Sequence, residues 1–127
     1  MNTNYIDIVK EIVLKKVPLD KYAIFLFGSR AAGNAHKMSD IDVGFLGQTD
    51  LPMLLKAEIE HEIEESIVPY HVDLIDFNQV DNDFKEEALK NIIIWNSPET
   101  CMSLPLTKLH KQAHASFISD NEQAEYQ

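Results

Sequence analysis

One cysteine, Cys101, stands in a chain of 127 residues, so no intramolecular disulfide can form and no paired thiolate site for a metal exists. That usage fits a reducing, cytoplasmic setting. Basic residues are also few: 11 Lys and Arg face 21 Asp and Glu, and the formal net charge is −10. A field of that sign repels phosphate backbones and argues against a broad nucleic-acid groove. No apolar run approaches the length of a membrane span. The opening MNTNYIDIVKEIVLKK carries charges throughout and lacks the continuous apolar stretch of a signal peptide, so neither secretion nor insertion is expected. Internal repeats and low-complexity tracts are absent as well.

What is present suits one ordinary globular core, with 45% hydrophobic and 25% charged residues. Over residues 4–16, Ile6, Val9, Ile12 and Val13 recur at helical spacing, with Asn2 or Thr3 as cap, Lys15 and Lys16 near the end and Pro18 as the stop. The run YAIFLF at 22–27, closed by Gly28, reads as a buried strand. Residues 28–39 form a small, polar connector whose alanines allow a short helix directly after that strand. In 40–46 (DIDVGFL), Ile41, Val43 and Phe45 alternate with Asp40, Asp42 and Gly44, giving a strand with its acids on one face.

Asp50 as cap and Pro52 in a first turn then introduce a helix carrying Leu54, Leu55, Ile59, Ile63 and Ile67 up to Pro69. The β-forming stretch 70–75 (YHVDLI) makes a third strand with His71, Asp73 and Ile75 on one face. Residues 83–91 read as another helix, and IIIW at 92–95 either extends it or forms a short strand, the strand being favoured. Beyond Asn96 the composition turns to Ser, Pro, His, Gln and acids, while Leu106, Leu109, Ala113 and Phe117 keep a helical interval. The expected division is a domain over 1–96 and an extension over 97–127, helical and then disordered. The element order is that of an α/β (α+β) fold with a small sheet covered by helices.

Chemistry enters with Gly28, Ser29, Asp40, Asp42 and Asp73. Asp40 and Asp42 lie two apart on a strand, so both side chains leave one face and can converge on a hard divalent cation. Asp73, on a neighbouring strand, would bring a third carboxylate, with Asp76 the alternative if the register slips. Three crowded carboxylates raise one another's pKa unless a cation neutralises them. Magnesium, which bridges carboxylates to phosphate oxygens, suits such a centre. Gly28 and Ser29 sit where a strand turns into a helix, a place where backbone N–H groups meet an anion, and Arg30 adds charge for a triphosphate.

The spacing Gly28-Ser29, ten residues, then Asp40-Ile41-Asp42 resembles the signature of the DNA polymerase beta-like nucleotidyltransferase superfamily. At ordinary residue frequencies that match arises by chance on the order of once in a thousand such chains. The short length and the helical start resemble its minimal nucleotidyltransferase group over about residues 5–96. The resemblance implies the small mixed sheet of the polymerase beta-like fold. It also implies a partner, a helical HEPN-type ribonuclease toxin, for which this chain would be the antitoxin in a hetero-oligomer. The implied reaction moves AMP from ATP to a tyrosine of that toxin. By the same resemblance Asp40 and Asp42 are metal ligands holding MgATP, Asp73 is the third ligand and base, and Gly28 and Ser29 bind the terminal phosphates. Two Mg2+ ions would clamp the α-phosphate in such a centre.

Other features are set aside. Arg30 and His36 match an R-x5-H spacing found in the toxins themselves, but in a connector between strands; His36 and Lys37 read as loop residues. His61 and His71 are lone histidines, expected at the surface or in packing. His110 and His114 share a helical face without a carboxylate at motif spacing and read as surface. Cys101 reads as a small apolar side chain or a tail thiol, and Leu106 to Phe117 as a packed helix or, less favoured, a partner-docking one. Two rival functions stand beside the enzyme: an antitoxin that only binds and masks its toxin, and a small-molecule adenylyltransferase of the antibiotic-modifying kind. Intact Gly28, Ser29, Asp40, Asp42 and Asp73 speak against the first, and the lack of a second domain against the other.

Overall fold

Four strands and four helices follow one another in the computed structural model, which describes residues 4–35 and 39–98. Helix α1, Tyr5–Lys16, is capped by Asn4 rather than Asn2 or Thr3: the Asn4 Oδ1 accepts the Ile6 and Asp7 N–H groups at 3.0 and 3.3 Å. Strand β1, Tyr22–Phe27, is buried along its whole length. The short helix α2, Ser29–Ala32, opens immediately and ends at Gly33 in the left-handed conformation. Strand β2, Ile41–Gly47, starts one residue later than its pattern suggested, so Asp40 stands just ahead of it.

Helix α3, Met53–Glu64, departs from expectation at both ends. Pro52, not Asp50, holds the cap position; Asp50 instead accepts from Gln79 at 3.0 Å, and the Leu51 N–H is taken by Asp76 at 2.8 Å. At the other end Ser66 Oγ donates to the Ile63 carbonyl and accepts from the Val68 N–H, turning the chain well before Pro69. Strand β3, Val72–Asp76, helix α4, Asn82–Ala88, and strand β4, Ile93–Asn96, complete the order. Residues 92–95 thus take up the strand alternative, shifted by one.

The strands form one mixed sheet in the order β3-β2-β1-β4, with β2 parallel to β3 and β1 antiparallel to both its neighbours. On one face Ile24, Leu26, Val43, Phe45 and Leu74 pack with Val9, Ile12, Ile59 and Ile63 of α1 and α3. On the other, Ala23, Phe25, Phe27 and Leu46 meet Phe77, Leu89 and Ile92. Large apolar side chains sealed in this way contribute about 1.5–3 kcal/mol each. Phe25, Phe27 and Phe77 contact edge to face or tilted, with centroids 4.8 to 6.2 Å apart. A side chain at Gly44 would run into the Phe25 and Phe77 rings, so this face of β2 is filled with aromatics behind Asp42.

Among the described residues no helix is long and apolar enough to cross a membrane. His36, Lys37, Cys101, His110, His114 and the helical interval from Leu106 to Phe117 lie outside the described residues.

Candidate active site

The upstream ends of β2 and β3 lie side by side at the end of β1. In register, Phe27 faces Asp42, and Asp42 faces Asp73 on the parallel neighbour. The Ile41 N–H donates to the His71 carbonyl at 2.9 Å, locking the residue between Asp40 and Asp42 to the start of β3. Ligand atoms of Asp40, His71 and Asp73 all lie within 4.8 Å of one another. Asp76, the alternative third carboxylate, pairs with Phe45 further along the sheet and is engaged elsewhere, accepting from the Leu51 N–H at 2.8 Å and the Asn78 N–H at 2.9 Å.

Gly28 leaves β1 with φ +78°, a conformation that side chains rarely adopt, and a Cβ there would collide with the Asp42 carboxylate. The glycine therefore lets the strand end press against an acid. Ser29, partly exposed, opens α2 at that point. Arg30 turns back: its Nε donates to the Ser39 and Asp40 carbonyls at 3.1 and 3.2 Å and its Nη2 to the Ser39 carbonyl. The guanidinium also lies 4.6 Å over the Tyr70 ring, whose edge meets Tyr5 at 5.7 Å. Arg30 thus pins the backbone that delivers Asp40, with Tyr70 ahead of β3 and Tyr5 of α1 behind it.

The electrostatics are those of crowded acids. Burial, then the charges of Asp73 and Asp40, push the Asp42 carboxyl above its ordinary range, opposed in smaller measure by His71 and Arg30. The hydrogen bond and charge of Asp73 push the His71 imidazole up in turn. The Asp40 and Asp73 oxygens and the His71 nitrogen form a donor set that fits a divalent cation; Asp42 is not one of that set but stands next to it, opposite Asp73 and within reach of the charges of Asp73 and Asp40. His71 is the member that sequence reading missed. Its signal was the His-x-Asp spacing on a strand, which puts both residues on one face. Beside Gly28 and Ser29 an open cleft of about 390 Å³ is bounded by Phe27, Phe84, Ala88 and Asn91.

Residues 7–100 match the family described as polymerase beta, nucleotidyltransferase. The chain is 33% identical over 98 residues to the probable protein adenylyltransferase MntA of Haemophilus influenzae, covering 77% of this chain and 84% of that protein. In fold it is similar to a chain of a toxin-antitoxin crystal structure with AMP-PNP, with a TM-score of 0.62 and 19% identity over 90% of this chain and 92% of that one. A chain from the complex of tri-AMPylated Shewanella oneidensis HEPN toxin with MNT antitoxin is similar too, with a TM-score of 0.55 and 15% identity over 87% of this chain and 90% of that one. Family match, MntA relative and fold agree: the chain belongs to the polymerase beta nucleotidyltransferase family and, within it, to the minimal, MntA-like group.

Proposed function

We propose that this chain is the antitoxin of a toxin-antitoxin pair and transfers AMP from ATP, with Mg2+, to a tyrosine hydroxyl of a cognate helical HEPN toxin. The observation that carries the reading is that Asp40 and Asp73 lie with His71 inside 4.8 Å, while Asp42, opposite Asp73 in the parallel register and repelled by both acids, sets its carboxylate against Gly28. The MntA relative, named as a protein adenylyltransferase, supports the reaction class, and the toxin-antitoxin complexes among its structural neighbours support the partner.

Asp40, Asp42 and Asp73 would hold the divalent cation, for which we propose Mg2+ and two ions. When bound, magnesium neutralises the carboxylates and the phosphate oxygens and acts as a Lewis acid on them. Gly28 and Ser29 receive the terminal phosphates at the mouth of α2, and Arg30 keeps Asp40 in place. As the tyrosine oxygen bonds to the α-phosphorus, the bond to the bridging oxygen breaks and pyrophosphate leaves; Asp73 takes the hydroxyl proton. The protein's part is to position and to neutralise.

The test incubates the chain with α-labelled ATP, Mg2+ and the helical protein encoded beside it, followed by intact mass. We expect one or more AMP masses on the partner, and none with the Asp40→Ala, Asp42→Ala double variant. No transfer, with tight complex formation by both chains, would leave an antitoxin that acts by binding alone.

A further inference from the structure

His71 has no part in the reaction as described above, yet it stands inside the site. Its Nε2 lies 2.8 Å from Asp73 Oδ1, while its side chain remains 66% exposed and that of Asp73 45% exposed. An ionised carboxylate can only accept, so the ring carries its proton on Nε2 and donates it. A carboxylate open to solvent on this scale is not held by packing, and His71 is the side chain that reaches it with a hydrogen bond. The imidazole has a fixed base, because the His71 carbonyl accepts the Ile41 N–H between the paired aspartates. The same backbone bond that sets the strand register therefore sets the donor.

We propose that His71 is a positioning residue: by donating Nε2–H to Asp73 it fixes that carboxylate toward the cation and the acceptor hydroxyl. This rests on the cation-dependent transfer proposed above. Direct ligation by His71 is the competing role, since its nitrogen lies within 4.8 Å of the Asp40 and Asp73 oxygens. The nitrogen facing Asp73 is, however, already engaged by it. Partners that orient a metal ligand in this way typically change metal affinity or activity 10- to 100-fold when removed.

The experiment uses the full chain with Mn2+ as a paramagnetic probe, comparing wild type, His71→Ala and His71→Gln. Affinity is read from the free Mn2+ resonance, and directly bound nitrogen from pulsed electron paramagnetic resonance. We expect His71→Ala to weaken Mn2+ binding about 10- to 100-fold. His71→Gln, which keeps an N–H donor, should recover most of that loss, and no directly coupled nitrogen should disappear in the alanine variant. Because the side chain is largely exposed, all three should melt together. Unchanged affinity in His71→Ala, no recovery in His71→Gln, or a coupled nitrogen lost with the imidazole would each overturn the proposal. The metal readout needs no toxin. The expected Mn2+ behaviour with no AMP transfer by the wild type would therefore sink the proposed function, and with it the acceptor half of the proposal, and leave standing only the part of His71 in orienting Asp73 toward the cation.

Discussion

At Gly28 the left-handed backbone and the Asp42 carboxylate leave no room for a methyl group. Gly28→Ala should lower stability by about 1–3 kcal/mol from the strained backbone alone. It should also displace Asp42 and so reduce AMP transfer; urea melts and the labelled-ATP assay read the two effects separately. Asp42 itself stands with its carboxyl pushed above the ordinary 3.8 by burial, Asp73 and Asp40. A raised folded pKa means that the native state holds its proton longer than the unfolded chain, so stability present below the ordinary value is lost as pH rises through the folded one. Asp42→Asn should therefore melt higher than wild type at neutral pH in metal-free buffer, by an amount that solvent screening keeps small. The gap should close as the pH is taken below 3.8, and the variant should transfer no AMP. Several single residues were legible only in part. Gly28 could be read as special, but the reason seen in sequence was an approaching phosphate, whereas the structure adds an acid from another strand. Asp50 looked like a cap and Asp76 like a spare ligand, because local pattern does not reveal that Asp76 reaches the Leu51 N–H across the sheet edge.

Between elements, the tie from α1 to α3 beneath the sheet is polar at its rim: Glu62 accepts from Lys15 at 3.2 Å and Lys16 at 3.0 Å. These two hydrogen bonds pull the Glu62 carboxyl below its ordinary 4.5. A lowered folded pKa adds stability above the ordinary value, and that stability disappears as pH falls through the folded one. Glu62→Gln should thus melt slightly below wild type at neutral pH, and equal to it once the pH has fallen through the lowered value of Glu62, which lies below 4.5, or once high salt screens the pair. Thermal melts across pH and ionic strength check both limits. Element types were readable wherever apolar residues kept a clear period, as in Ile6 to Val13 and in the alternation after Asp40, or ran unbroken up to a glycine, as in 22–27. Boundaries were not, since they follow from single side chains: Asn4 begins α1 and Ser66 turns the chain after α3. The parallel pairing of β2 with β3 is a tertiary fact as well, although the shared face of His71 and Asp73 followed from their spacing.

For the whole molecule, a formal charge of −10 means that any divalent cation will gather near the surface and screen it. A specific site must show itself above that background. If Asp40, Asp42 and Asp73 bind the cation in the folded state alone, ten times the dissociation constant of Mg2+ should add about 1.4 kcal/mol. That corresponds to a rise in Tm of several degrees for a domain of this size. The comparison is made at constant ionic strength, NaCl replacing MgCl2, so that general screening cancels. Wild type should gain in MgCl2 and lose the gain when a chelator is added, whereas the Asp40→Ala, Asp42→Ala variant should melt alike in both salts. An equal gain in both chains would place the effect on the acidic surface as a whole. A gain confined to wild type would tie the stability of the sheet to the three carboxylates at its edge, because relief of their mutual repulsion is the work a cation can do there before any nucleotide arrives.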